Sequence, residues 1–218
     1  GYDQFHWDFG PLGIKTDLDP VVTFPTYGSH NVKLVTHNDS SGCWDSIEKT
    51  VTLMKPTPVL LVDDSTICLD EDARFTAYLT NPAFSTSAYK WYINGNLVAD
   101  SMLNFTDTFN LTGYYDISVV MQDAMGCPQT AVKNDWLLVS KPDADFTATT
   151  PGCEPFTANF TDLSVPVPSP GAPIITRLWD FDNGTASYTV GTASRLYPNK
   201  GVYDIGLIVT DASGCKDT

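Results

Sequence analysis

Basic side chains are scarce: Lys and Arg number 12 against 26 Asp and Glu, for a formal net charge of −14 over 218 residues. The 12 are scattered, so the sequence offers no basic patch for a phosphate backbone or an anionic lipid surface, and no nucleic-acid partner is expected. Long apolar runs are also missing. None approaches the roughly 18 residues of a membrane span, which excludes insertion by a helix. Histidine is confined to His6, His30 and His37. No G-x-S-x-G, H-E-x-x-H or C-x-x-C motif occurs, so hydrolase, zincin and dithiol chemistry have no foothold. No enzymatic activity is expected. Charged residues make up only 17% of the chain and aromatics 12%, a balance that fits an exported β-protein better than a helical cytosolic one.

What is present is a repeat. Gly201-Val-Tyr-Asp-Ile-Gly-Leu-Ile-Val-Thr-Asp-Ala-Ser-Gly-Cys215 has earlier counterparts in Gly28 to Cys43 and Gly113 to Cys127. Apolar residues alternate in each: Tyr203, Ile205, Leu207 and Val209; Tyr115, Ile117, Val119 and Met121; His30, Val32, Leu34 and Thr36. Period two describes a strand with one face in a core. A tryptophan precedes each copy, at Trp7, Trp91 and Trp179, spaced 84 and 88 residues apart. Units of that length, built of short strands, predict an all-β chain of tandem immunoglobulin-like β-sandwiches. The expected divisions are 1–55, 56–141 and 142–218, with opening strands missing from the first and the last strand missing from the third. Lys55-Pro-Thr-Pro58 and Lys141-Pro142 read as linkers, and the proline-rich stretch from Pro166 to Pro173 as an extended surface loop.

Cysteine spacing completes the pattern. Cys68 stands 59 residues before Cys127, and Cys153 stands 62 before Cys215. This predicts one disulfide per complete unit, Cys68–Cys127 and Cys153–Cys215, and an oxidising compartment. Cys43 is left without a partner.

Trp7, Trp91 and Trp179, with Tyr115 and Tyr203, are expected in the cores, as a strand tryptophan is in such sandwiches. Trp44 and Trp136 lack counterparts and are the candidates for a contact or ligand face. Asp8 and Asp180 follow their tryptophans one per unit, so they read as turn carboxylates rather than an acid pair. Asp63, Asp64, Asp70, Glu71 and Asp72 form the candidate calcium site, weighed against simple solvated loop charge. No other cofactor is expected.

At these residues a family resemblance emerges. Trp179-Asp-Phe-Asp-Asn-Gly184 and Gly201-Val-Tyr-Asp-Ile-Gly-Leu-Ile-Val resemble the W-D-F-G-D-G and G-x-Y-x-V-x-L-x-V patterns of polycystic kidney disease (PKD) domains; Trp7-Asp-Phe-Gly10 is a partial match, and Trp91-Tyr-Ile-Asn-Gly95 departs towards an immunoglobulin-like relative. The Gly-Cys ending is similar to repeats of large surface adhesins of gliding Bacteroidota exported by type IX secretion. The resemblance implies a non-catalytic spacer or binding role at the cell surface. Its partners would be neighbouring repeats, a surface polysaccharide or protein, and the secretion or motility machinery, with the outer-membrane anchor outside this segment. It also implies O-glycosylation of Asp-Ser/Thr-aliphatic tripeptides, for which Ser46, Ser65 and Ser101 are the candidates. The alternative is an accessory module of a secreted polysaccharide- or protein-degrading enzyme, or a calcium-dependent carbohydrate-binding module.

Overall fold

The computed structural model of the chain describes residues 4–80, 86–123, 126–182, 186–187 and 191–218. It separates into two compact units, Gly1–Pro56 and Thr57–Thr218.

In the first unit, β1 (Gln4–Asp8), β2 (Ile14–Lys15), β3 (Gly28–Asn38) and β4 (Cys43–Leu53) form one antiparallel sheet in the order β2-β1-β3-β4. The alternation puts Phe5, Trp7, Val32, Leu34 and Ile47 on one face, because Trp7 pairs with Leu34 and Leu34 with Ile47. Among the described residues of this unit there is no second sheet over that face. Trp7, expected in a core, is therefore only half-buried; its indole N–H donates to Asp17 O at 3.1 Å.

The second unit opens with β5 (Pro58–Val62), β6 (Thr66–Cys68) and β7 (Asp72–Leu79). It continues with β8 (Thr86–Ile93), β9 (Asn96–Asp100), β10 (Asn104–Thr108), β11 (Gly113–Asp123) and the 16-residue β12 (Pro128–Asp143). Sheet β10-β7-β5 lies against a sheet built on β12-β11-β8-β9. Their inner faces bury Phe75, Trp91, Phe105, Ile117, Val119, Met121, Leu137 and Val139 in one core. Asn94-Gly95 joins β8 to β9, both residues at positive φ (48° and 77°), the backbone that a two-residue hairpin of matching twist requires.

A second core follows without a break in the chain's pairing. Strands β13 (Phe146–Ala148), β14 (Phe156–Asp162), β15 (Val165–Val167), β16 (Ile174–Asp180), β17 (Ala186–Ser187), β18 (Thr192–Tyr197), β19 (Gly206–Asp211) and β20 (Lys216–Asp217) give the sheets β13-β14-β18 and β17-β16-β19-β20. Between them lie Phe160, Trp179, Phe181, Tyr197, Leu207 and Val209. The fold is all-β, of β-sandwich type.

Three sequence readings change here. Lys141-Pro142 is no linker: both residues lie inside β12, paired with Val167 and Pro166 of β15. The Pro166–Pro173 stretch accordingly begins as a strand, and its Ala172 is buried. In the third repeat copy, residues 201–205 precede β19 instead of belonging to it.

Candidate functional site

A connected set of specific contacts lies inside the second unit, where its two cores meet. β12 passes from one to the other: it pairs with β11 through Val139, then with β15 from Lys141 onward. β6 runs parallel beside the same stretch, with Cys68 opposite Ser140 and Leu69 N–H donating to Ser140 O at 3.0 Å. From the other side comes the turn between β19 and β20. Its Asp211 is fully buried; Oδ1 accepts the N–H groups of Ser213 and Cys215, both at 2.9 Å, and Oδ2 accepts Ser140 Oγ–H at 2.6 Å. Ser140 is itself fully buried. A buried carboxylate needs such donors, since without them its desolvation would cost several kcal/mol.

Asp217 adds a second tie. It accepts Ala144 N–H at 2.9 Å and lies 3.1 Å from Lys141 Nζ. Burial opposes its ionisation, but the Ala144 and Lys141 hydrogen bonds and the Lys141 charge outweigh this and hold the carboxyl below the ordinary aspartate range. Asp162, nearby in sequence to β15, behaves the same way: burial is outweighed by hydrogen bonds from Ser164 and Arg177 and by the Arg177 charge.

A covalent bond closes the junction. Cys68 is joined to Cys215, with Cα atoms 5.4 Å apart and a separation of 147 positions in sequence. The expected pairs Cys68–Cys127 and Cys153–Cys215 are thus corrected. Cys127 and Cys153 are exposed free thiols, as is Cys43. Similar spacing within each repeat, 59 and 62 residues, is compatible with either pairing; what decides is that β6 and the β19–β20 turn end at the same place.

Most other singled-out residues serve the fold. Trp91 and Trp179 are fully buried, and Trp91 Nε1–H donates to Met102 O at 2.8 Å. Tyr115 and Tyr203 are half-buried, and each donates its hydroxyl to the carbonyl four residues upstream, Leu111 O at 2.7 Å and Asn199 O at 2.9 Å. This is the tyrosine-corner bond of immunoglobulin-like sandwiches. Burial pushes the Tyr115 phenol up. His30, which holds the tyrosine's place in the first unit, donates from Nε2 to Thr26 O at 2.9 Å, again four residues back. Asp8 and Asp180 accept the N–H two residues on, from Gly10 at 2.8 Å and Asp182 at 3.1 Å. Asn183 and Gly184 of the tryptophan motif lie outside the described residues. Trp136 packs on the core with Phe75 instead of facing solvent. Trp44 is exposed and lies 4.2 Å, centroid to centroid, from His37.

The candidate calcium cluster does not converge. Asp63 Oδ1 accepts the N–H groups of Asp64 and Arg74, Asp64 Oδ1 that of Thr66, and Glu71 Oε2 that of Cys68, while Asp72 accepts the Thr108 hydroxyl. Asp70, at φ 65°, donates its N–H to Phe109 O at 2.8 Å. Among the described residues no three His, Cys, Asp or Glu side chains are placed to hold a metal ion. Ser46, Ser65 and Ser101 are exposed.

Sequence reasoning missed Ser140, Asp211 and Asp217. The signal was the repeated Asp-x-x-Gly-Cys ending, legible as a turn but silent about the strand it would meet.

The PKD domain family model matches residues 139–218, beginning inside β12. No curated protein matches the chain. Among solved structures, the fibronectin(III)-like modules of Clostridium thermocellum CbhA are 14% identical, covering 73% of this chain and 90% of theirs at a TM-score of 0.37. Three N-terminal domains of the bacteriophage RB49 highly immunogenic outer capsid protein (Hoc) are 12% identical, over 97% and 73%, at 0.47. Bacteroides ovatus SGBP-B of the mixed-linkage glucan utilisation locus, in complex with a mixed-linkage heptasaccharide, is 14% identical, over 99% and 56%, at 0.21. None of these three likenesses is deep enough for a shared function to follow. The C-terminal part of the chain is PKD-like, a kind of module that is typically non-catalytic. No described helix is long and apolar enough to cross a membrane, and the disulfide is consistent with an extracellular domain.

Proposed function

We propose that the chain is a non-catalytic repeat segment of a large cell-surface adhesin, in which it acts as a stiff spacer. The observation that carries this reading is the junction: one strand shared by two cores, a buried Ser140–Asp211 hydrogen bond and a disulfide across the meeting point. Such a joint suppresses the domain motion expected of small interfaces, which suits a part that must hold something at a distance. Weak contacts repeated along a longer array would add avidity. Neighbouring repeats are the first partners on this reading, with a surface polysaccharide or protein and the secretion or motility machinery as further ones. Exposed Ser46, Ser65 and Ser101 remain the proposed O-glycosylation positions, to be read from the intact mass of native material.

The test is the size of the native protein. An antibody to this segment should detect, in denatured and reduced cell-surface extracts, a band of several hundred kDa, given roughly 10 kDa per small domain. A band of about 60 to 150 kDa on the same rough scale contradicts the adhesin reading and favours the accessory module of a secreted hydrolase. One feature supports a binding role: a cleft of about 560 Å³ at one end of the second core, lined by Phe156, Tyr197, Tyr203, Asn199, Glu154 and Asp204.

A further inference from the structure

Cys127 sits in a copy of the turn that already carries the disulfide. The sequences Asp123-Ala-Met-Gly-Cys127 and Asp211-Ala-Ser-Gly-Cys215 differ at their middle residue alone. Their described bonds coincide. Cys127 N–H donates to Asp123 Oδ1 at 2.9 Å, as Cys215 N–H does to Asp211 Oδ1 at 2.9 Å. Asp123 N–H reaches Cys127 O at 3.2 Å and Asp211 N–H reaches Cys215 O at 3.0 Å; Gly126 and Gly214 donate back to their aspartates, both at 3.0 Å. Both glycines take a positive φ, 86° and 89°. Both aspartates are buried. The difference is coverage: Cys215 is buried against the β6 end of the preceding core, whereas Cys127 is exposed with a free thiol.

We propose that the Asp123–Cys127 turn is a docking site for the β6 end of a further copy of the repeat, with Cys127 forming to that copy's early cysteine the bond that Cys215 forms to Cys68. The partner is defined by its chemistry: a short strand ending in a cysteine, lying parallel to a strand that supplies a small hydroxyl residue, as β6 and Ser140 do. The two thiols lose two protons and two electrons to a low-molecular-weight disulfide such as oxidised glutathione, which leaves as two thiols. The staples then run from one repeat to the next and not within a repeat.

The test duplicates residues 57–142 in the full chain, inserted after Pro142, with folding in a glutathione redox buffer and peptide mapping without reduction. The expected bonds are the first copy's Cys68 to the second copy's Cys127, and the second copy's Cys68 to Cys215; the first copy's Cys127 and Cys153 should label with maleimide. A bond between Cys68 and Cys127 of one copy, or a reactive Cys127 in the second copy, overturns the proposal. Should the longer chain not fold, Ser213→Met in the 218-residue chain makes the occupied turn identical to the Cys127 turn. Retention of the Cys68–Cys215 bond is the expected result, and its loss shows that the Cys127 turn is not competent to dock.

Discussion

Tyr115, Tyr203 and His30 make the same bond from the same place, to a carbonyl four residues upstream. The imidazole N–H does for the first unit what the phenol does for the others. Tyr115→Phe and Tyr203→Phe should each cost about 1 kcal/mol, the net value of one hydrogen bond, and His30→Tyr should be neutral within about 0.5 kcal/mol, the usual range for a substitution that keeps its contacts; urea unfolding measures all three. Asp211 has larger consequences, since Asp211→Ala strands two turn N–H groups and the Ser140 hydroxyl in a buried place. The expected loss is about 3 kcal/mol, against about 1 to 2 for Ser140→Ala. In the double variant the Ser140 change should cost much less than it does alone, which a mutant cycle would reveal. Acid sensitivity belongs to Asp162 and Asp217. Their carboxyls are held below the ordinary range in the folded state, so the stability they supply is present above the unfolded value near 4 and is lost as pH falls through the lower, folded one. Urea midpoints at pH 6 and pH 3 should therefore diverge, and Asp162→Asn should narrow the gap.

The strands themselves show what a sequence conveys. Alternation located β11 (Gly113–Asp123) closely, because it must turn Ile117, Val119 and Met121 into a core and the residues between them away from it. β12 was not legible as one strand. Proline at 142 reads as a breaker because it removes a ladder donor, yet Pro142 lies opposite Pro166, where neither residue has an N–H to leave unpaired. The disulfide was illegible for a related reason: spacing reports how far apart two cysteines are along the chain, not which strand ends meet. The acidic loop is ambiguous in the same way, since a run of carboxylates spells a metal site and a set of backbone turns alike. Within the cores, Trp91→Ala should cost about 3 to 5 kcal/mol, the range for truncating a buried large aromatic, and this loss should be visible by denaturant melting with the disulfide intact.

At the scale of the molecule, the decisive feature is where the covalent bond falls. Cys68 lies 11 residues after the start of the second unit, and Cys215 lies three before Thr218. Load applied to the two ends of that unit therefore runs through β5, β6, the disulfide and β20, and bypasses the chain between the two cysteines. The same bond constrains the unfolded chain over a long loop, a contribution of about 5 kcal/mol in the chain-entropy account. The measurement that tests this most directly is single-molecule extension of the full chain, held by its termini, with and without reductant. The bypass predicts that reduction adds roughly 500 Å of releasable length, from 147 residues at about 3.4 Å each. The same extension in both states would mean that no bond joins Cys68 to Cys215, and the stapled spacer would fall with it.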